Sequence, residues 1–561
     1  MFIRLMPIII VVVLFNLKTL RAQDVTDIYW KYRERVINEF IVVSDEVEEF
    51  GTNIPAIDRN HDNTGRPVWI SWSDANSNFN HWLSILSTEY RLLKNNHQDY
   101  SETLNLLVYT LFALERLDLY SEYVTRKSDG VYQIVNGDTI TDYIVYPDDI
   151  NGFLIRDDVS LGFWTKYYEH FGIWLGRLNE RSNGTTTYRS VFQKGKIPIQ
   201  GQSQDNIIRL LQGLAIVKAM CDNEPINLVN VKFKNKLIPD YLKSKDIISD
   251  DTIFIGRWVD DLTRRLVAQM QHPYPEREMV LKPLRGMAEP SKHRLFGIMS
   301  TRWYIMNPIK NELVSEGSGE DMGVWMNSFG IAEAAAAITG VDTFHFDGSR
   351  YGLSSYLFKA FLLKQLYILP GGAVPLPKSF DDYMFRDLAS IADINWHKNS
   401  TILFHKLRDR REKLTYEHQV LILYLLHKSK YKNFYMPDSP YYSEDQQYYY
   451  SLLKDAPPSG PHNDVRRNDY SPYWSSSSRL IWPRVSRNDK HGKITGHSEY
   501  SGLDYMMLHN LYRLVFEPNG FKYPSNHINQ LENKNYKIKS AYKPDYDALF
   551  FYEAPEISLQ K

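Results

Sequence analysis

The chain has 561 residues, and its 66 Lys and Arg balance 67 Asp and Glu to give a formal net charge of -1 at pH 7. Proteins that hold nucleic acid through bulk electrostatics carry a clear excess of positive charge, so this balance argues against a nucleic-acid binder. The one cysteine, Cys221, excludes an internal disulfide. A chain of this length can bury a core that is stable without one.

The first residues have the pattern of a secretory signal peptide. Residues 1–4 include a basic side chain, and the apolar run 7–15 is too short to cross a bilayer as a stable anchor. We therefore expect cleavage after Ala22, export to the periplasm or out of the cell, and a single large domain over residues 23–561. An uncleaved membrane anchor is the alternative, because the two residues before Ala22 are not small.

Apolar residues recur at helical spacing along most of the chain. Helices are predicted for residues 81–93, 104–117, 207–220, 254–270, 329–338, 356–367, 414–426 and 503–515. Ser101 and Glu102 are suited to starting the second of these helices. The Ala-rich run 331–339 is strongly helix-forming, and Gly340 is expected to end it.

Strand-like alternation is scarce, and residues 130–137 form the clearest hairpin-sized stretch. Many helices with few strands predict an all-α fold. At this length, paired helices in a ring are more economical than a simple bundle. We therefore predict an (α/α) toroid-like helical ring with minor β elements. Two polar stretches rich in Pro and Tyr, 431–450 and 455–472, are interpreted as loops over the ring or as seams in it.

Side chains that stack on rings, bind anions and transfer protons are concentrated in residues 474–512. Trp474 and Trp482 are predicted to stack on a flat ligand, and Arg484 to hold an anion with its planar fork. The candidates for proton transfer are His497, Tyr500, Tyr505 and His509. The last two lie four residues apart, so they share one face of the predicted helix. The alternative is a Tyr-rich surface loop followed by an ordinary core helix.

Polar residues also crowd the start of the helix predicted from residue 207. Capping of the helix N-terminus explains Ser203. The other polar residues exceed what a cap needs, and a helix N-terminus favours anions. We predict that four of them contact the substrate: Gln202, Gln204, Asp205 and Arg209.

Residues 152–158, Gly-Phe-Leu-Ile-Arg-Asp-Asp, precede a further aromatic-rich stretch. Arg156 is predicted to bind substrate. In the alternative interpretation, Arg156 pairs with one of Asp157 and Asp158 while the other caps the next helix. The two adjacent carboxylates point in different directions in any regular structure, so they are not an acid/base pair by themselves.

Cofactor motifs are scarce. Residues 58–65 have oxygen ligands at alternate positions, as at the start of a calcium loop, but the glycine is misplaced and no bidentate Glu follows in register. The sequence has no phosphate-binding loop, dinucleotide glycine motif or paired-histidine zinc motif. We therefore predict no metal site and no cofactor, with a divalent cation left as an open alternative.

Four features together resemble secreted proteins from polysaccharide-utilisation gene clusters of marine Bacteroidetes. They are the signal peptide, residues 152–158, residues 202–205 at the head of a Leu/Gly-rich helix, and residues 500–512. Within that group the chain is similar to ulvan-associated proteins that act on uronate-containing oligosaccharides, one type of which is an oligosaccharide dehydratase. The resemblance implies an acidic algal oligosaccharide, with or without sulfate, as the partner. It assigns no catalytic residue.

Elimination at a uronic acid requires a group that neutralises the carboxylate, a base for the C5 proton and an acid for the group leaving C4. The chain has the Arg, His and Tyr for these roles, so we predict a carbon–oxygen lyase, either an oligosaccharide dehydratase or a polysaccharide lyase. One alternative is a glycoside hydrolase that pairs Asp157 or Asp158 with Asp205 or Glu499. The other is a non-catalytic glycan-binding protein.

Overall fold

Helix predominates in the computed structural model, where it accounts for 65% of the residues that the structure describes. The described residues are 24–41, 55–56, 58–61, 67–71, 75–119, 133–135, 138–140, 150–154, 204–221, 225–227, 237–250, 252–270, 306–307, 312–313, 334–335, 338–340, 408, 417–426, 428, 432–464, 467–475 and 498–524. Within these ranges, no helix combines the length and the apolarity that a membrane crossing requires. The predicted signal peptide lies outside them.

The helices follow the apolar periodicity of the sequence. They are α1 Val25–Arg35, α2 Ala75–Asn95, α3 Ser101–Leu119, α4 Gln204–Cys221, α5 Leu237–Ser244, α6 Ile255–Met270, α7 Glu417–Leu426, α8 Tyr442–Lys454 and α9 Leu503–Phe516. A π-helical turn, Val36–Phe40, continues α1. The predictions that coincide with α2, α3, α4, α6, α7 and α9 are confirmed. Gly340 has a φ of +70° and directly follows a helical residue, as expected of a glycine that ends a helix. The helix predicted at 356–367 lies outside the described residues.

Helix α8 departs from the prediction, because it lies in a stretch interpreted as a loop or seam. Its buried side chains are Asp445, Tyr449 and Leu453, spaced four apart. The buried stripe therefore includes a carboxylate, so the sequence lacks the regular apolar spacing that predicts a helix. Asp445 is accommodated there because Arg408 Nε donates to it at 2.9 Å and the Tyr435 hydroxyl donates at 2.6 Å.

The strands are short and pair antiparallel. They are β1 Asp58–His61, β2 Pro67–Ser71, β3 Gln133–Val135, β4 Asp138–Ile140, β5 Ile226–Asn227, β6 Ile248–Ser249, β7 Thr252–Ile253, β8 Met306–Asn307, β9 Glu312–Leu313 and β10 Ser498–Tyr500. Two three-stranded sheets have the orders β10-β1-β2 and β5-β7-β6. The predicted hairpin is confirmed as β3-β4, somewhat further along the chain. Residues 58–61, considered as the start of a calcium loop, instead form β1, in which Asp58 pairs with both Ser71 and Tyr500.

Helix α2 lies at the centre of the helical packing. It packs against α3, α4 and α9, while α7 contacts both α4 and α9. The approach of α2 to α4 is close at Gly213, where a Cβ would lie 2.6 Å from Asn80 Oδ1. Any larger residue at position 213 would push the two helices apart.

A buried carboxylate joins the first three helices. Glu89 of α2 is fully buried and accepts from Arg33 Nε of α1 at 2.8 Å, and it also accepts from the hydroxyls of Tyr29 and Thr103. Arg33 Nη1 reaches Glu102 of α3 at 3.0 Å. Burial by itself would lower the pKa of Arg33, but the two glutamates raise it well above its usual value. Arg33 therefore stays charged, and its burial depends on the carboxylate partners beside it.

Substitution of Glu89 tests this dependence. In Glu89→Gln, Arg33 stays buried with only Glu102 as a charged partner, so we expect the free energy of unfolding to fall by about 3 kcal/mol in urea denaturation. The control is Glu34→Gln on the exposed side of α1, for which a change within about 0.5 kcal/mol is expected. Equal urea midpoints for Glu89→Gln and Glu34→Gln would contradict the dependence of Arg33 on Glu89.

Candidate functional site

Two of the predicted site residues, Trp474 and Tyr505, lie together in the core. Their ring centroids are 5.3 Å apart at 67°. The Trp474 indole donates to the Leu452 carbonyl at 2.9 Å, and the Tyr505 hydroxyl donates to the Val25 carbonyl at 2.8 Å. Burial raises the pKa of Tyr505 well above its usual value. These contacts give both side chains a packing role, and their predicted roles in stacking and catalysis stay predictions.

His509 lies on the same buried face of α9 and stacks on Tyr29, with ring centroids 4.5 Å apart. The Nδ2 group of Asn510 donates to Ile85 O at 3.2 Å, so its Oδ1 accepts from His509 Nδ1 at 3.1 Å. His509 Nε2 lies 3.4 Å from the hydroxyl of Thr26. Burial lowers the pKa of His509 to about 3, so its imidazole is neutral near pH 7. Its predicted role as acid or base also stays a prediction.

Tyr500 ends β10 and is buried. Its N–H donates to Pro461 O at 2.8 Å, and its own carbonyl accepts from Arg35 Nη1. The neighbouring Glu499 carboxylate lies 3.3 Å from Arg35 Nη2 and 3.4 Å from Arg467 Nη1. Glu499, considered for the hydrolase alternative, is therefore held between two guanidinium groups.

Two of the predicted substrate contacts, Gln204 and Asp205, lie at the start of α4, where their backbone forms the first two residues of the helix. The remaining predicted site residues and the two adjacent aspartates lie outside the described residues: Arg156, Asp157, Asp158, Gln202, Trp482, Arg484 and His497.

Arg209 lies in a buried polar cluster at the junction of α2, α4 and α7. The members of this α2–α4–α7 cluster are each at most 3% exposed: Asn80, His81, Asn206, Arg209, Gln212 and His418. Asn206, Arg209 and Gly213 share one face of α4, and Gly213 touches Asn80 of α2. Arg209 is therefore directed towards α2.

The charges within the α2–α4–α7 cluster act on one another. Burial lowers the pKa of His81 well below its usual value, and His418 and Arg209 lower it further. His81 is consequently a neutral imidazole near pH 7. The cluster combines a guanidinium group, which binds carboxylate or sulfate in a planar fork, with two imidazoles that can exchange protons.

One hydrogen bond links the cluster to α9. His418 Nε2 lies 2.8 Å from the carbonyl oxygen of Asp504, in the first turn of α9. Helix α9, the helical part of the segment predicted to carry the chemistry, therefore lies against α7, which contributes His418 to the cluster. Sequence reasoning missed His81 and His418, because a lone histidine on an apolar helix face has the same pattern as a core residue.

No protein-family model, curated protein or solved structure matches the chain. The resemblance to ulvan-associated proteins therefore stays a prediction. Among the described side chains, no group of three or more His, Cys, Asp or Glu is arranged to hold a metal ion.

The neutral state of His509 makes stability depend on pH. Its pKa is about 3 in the fold and about 6.5 in an unfolded chain, so the unfolded state binds the extra proton between these values. The stabilisation that the neutral His509 imidazole contributes is present above pH 6.5 and is lost as the pH falls towards 3. From pH 7 to pH 5 we expect a loss of about 2 kcal/mol from this residue.

His509→Phe keeps the ring stacked on Tyr29 and removes the titration. Urea denaturation of the variant at pH 7 and pH 5 should show a loss smaller than that of the wild type by about 2 kcal/mol. The neutral His81 is present in both proteins, so its contribution cancels. Parallel pH profiles for the two proteins would rule out this role for His509.

Proposed function

We propose that the chain is an exported carbohydrate-active enzyme that eliminates water or a sugar alkoxide from uronate-containing oligosaccharides. The observation that carries the proposal is the α2–α4–α7 cluster, in which the buried Arg209 lies with His81 and His418. The substrates would be acidic algal oligosaccharides of the ulvan type, with or without sulfate. The enzyme would act in the periplasm or outside the cell.

Arg209 would neutralise the substrate carboxylate. A guanidinium group paired with the carboxylate lowers its charge, so the C5–H bond becomes more acidic. When that bond breaks, its electron pair forms the C4=C5 double bond, and the C4–O bond breaks towards the departing oxygen. A dehydratase releases water from C4 and a lyase releases a sugar alcohol.

The imidazoles would carry the proton. A neutral imidazole has a lone pair that can accept a proton, and His81 and His418 are the two imidazoles of the cluster. Exclusion of bulk water strengthens the electrostatic effect of Arg209 on a bound anion. The substrate as a whole is neither oxidised nor reduced, so no redox cofactor is needed, and a divalent cation at the carboxylate stays an alternative to arginine.

The proposal includes the ring-shaped architecture. Helix predominance and the packing of α2 and α7 against both α4 and α9 support an (α/α) toroid-like arrangement of one domain over residues 23–561. In such a ring, paired helices bring side chains that are distant in sequence to a shared interior. A ring of this kind would bring Arg209 and His418 together.

The reaction type is tested by incubating the mature chain with ulvan-derived oligosaccharides and following ultraviolet absorbance and product mass. A conjugated C4=C5 double bond raises the absorbance, whereas hydrolysis produces reducing ends without it. Retention of the protein on acidic-glycan affinity gels without any product would indicate a binding protein. If neither product nor retention is seen across a panel of acidic algal glycans, the carbohydrate proposal is wrong.

Arg209 is tested by two substitutions. Arg209→Gln removes the positive charge, and we expect kcat/KM for elimination to fall by about 100-fold or more. Arg209→Lys keeps the charge without the planar fork, so an intermediate loss is expected. Arg264→Gln, on the exposed side of α6, is the matched control and should retain wild-type kcat/KM. A folded Arg209→Gln variant with the activity of this control would exclude Arg209 from the reaction.

A further inference from the structure

We infer that His418 is the base that takes the C5 proton through Nδ1, and that the main-chain oxygen of Asp504 positions its ring. This inference rests on the proposed function and assigns the proton transfer to one atom. It also gives helix α9 a positioning role in place of a direct catalytic one.

The hydrogen bond to Asp504 fixes the tautomer of His418. A main-chain carbonyl oxygen only accepts hydrogen bonds, so the ring nitrogen 2.8 Å away, Nε2, must carry the proton. In the neutral imidazole the other nitrogen, Nδ1, then holds the lone pair. His418 is 3% exposed, so this basic atom lies inside the protein.

The same bond stabilises the protonated ring. After Nδ1 accepts a proton, the positive charge is shared by both nitrogens, and the Nε2–H···O bond to Asp504 becomes charge-assisted. A hydrogen-bond partner that orients the base and stabilises its cation is a common feature of proton-transfer sites. Asp504 thus positions His418 through its main-chain carbonyl and not through its carboxylate.

His81 is the weaker candidate for the base. It is surrounded by the positive charge of Arg209 and by His418, and these add to burial in disfavouring its protonated form. An effective general base has a pKa near the working pH. His81 is therefore better suited to donating or accepting a hydrogen bond as a neutral ring than to holding a proton.

One proton moves from C5 to the departing oxygen through His418. The C5–H bond breaks, the proton forms a bond with His418 Nδ1, and the C–H electron pair forms the C4=C5 double bond as the C4–O bond breaks. The proton then passes from Nδ1 to the departing oxygen. Water or a sugar alcohol leaves, and neutral His418 is regenerated with its proton still on Nε2.

Helix α9 holds the carbonyl of Asp504 in place. Its flanking residues Leu503 and Tyr505 are buried, and the Tyr505 hydroxyl anchors the helix to Val25 O of α1 at 2.8 Å. This arrangement accounts for the dense buried face of α9 without requiring its aromatic residues to touch the substrate.

His418→Gln separates the hydrogen bond that the ring donates to Asp504 from the basicity of its other nitrogen. The glutamine amide can still donate to the Asp504 carbonyl but has no basic nitrogen. We expect kcat for elimination to fall by about 100-fold or more, with KM close to the wild-type value because the carboxylate contact of Arg209 is kept. In His81→Gln the loss in kcat should be smaller than about tenfold.

The exposed His97 provides a control away from the cluster. Its φ of +55° is tolerated by asparagine, so His97→Asn should retain wild-type kcat. If His418→Gln keeps wild-type kcat, or if His81→Gln loses more activity than His418→Gln, His418 is not the base.

The tautomer is tested without substrate by nitrogen-15 NMR of histidine-labelled protein. The resonances of His418 are assigned in the wild-type protein through its backbone connectivity within α7. The expected spectrum has a protonated Nε2 and an unprotonated Nδ1 near pH 7. A proton on Nδ1 of the neutral ring would overturn the inference even if His418→Gln fails to fold.

The kinetic and spectroscopic results distinguish this inference from the proposed function. If the wild-type chain forms no double bond with any uronate oligosaccharide, the proposed function fails and this assignment fails with it. If the wild type is active and His418→Gln is equally active, only the assignment of the base fails.

Discussion

The packing of the described helices depends on a buried carboxylate. Glu89 lies inside α2, where an unpaired charge would be strongly destabilising. Its partners come from both neighbouring helices: Arg33 and Tyr29 of α1 and Thr103 of α3. Because Tyr29 also stacks on His509 of α9, the first and last described helices are fixed against the same central helix. The position of α9, and with it the Asp504 carbonyl, therefore depends on a charge pair near the start of the chain.

A second buried network of charged side chains joins α3 to α6. Arg265 of α6 binds Glu115 and Asp118 of α3, and its Nε lies 2.9 Å from Asp261. Asp118 also accepts the N–H of Gly152 at 2.9 Å. At that glycine, φ is +92° and a Cβ would lie 2.2 Å from Arg265 O, so no other residue fits. Directional hydrogen bonds thus fix a segment that apolar packing alone would leave adjustable. This segment leads towards Arg156.

Helices were predicted at α2, α3, α4, α6, α7 and α9, where the buried stripe is mainly apolar, whereas α1 and α5 were not predicted. The prediction failed at α8 because Asp445 occupies a core position, where it is paired with Arg408 and accepts from the Tyr435 hydroxyl. Arg209 was predicted because its polar neighbourhood exceeds what a helix cap needs. The two cluster histidines were not predicted, since residue type and spacing are the same for a histidine packed in a core and for one that joins a site. Their convergence depends on tertiary packing, which leaves no local pattern.

The aromatic residues of α9 show the converse problem. Tyr505 and His509 have the chemical groups of acids and bases, but their polar atoms contact Val25, Asn510 and Thr26 inside the core. Burial holds both groups in their neutral forms near pH 7, and their predicted roles in proton transfer stay predictions. His418 differs in its acceptor, which is the main-chain carbonyl of Asp504, whereas His509 donates to the side chain of Asn510. In the proposed mechanism this backbone acceptor positions the ring of His418, and its place depends on the packing of α7 against α9.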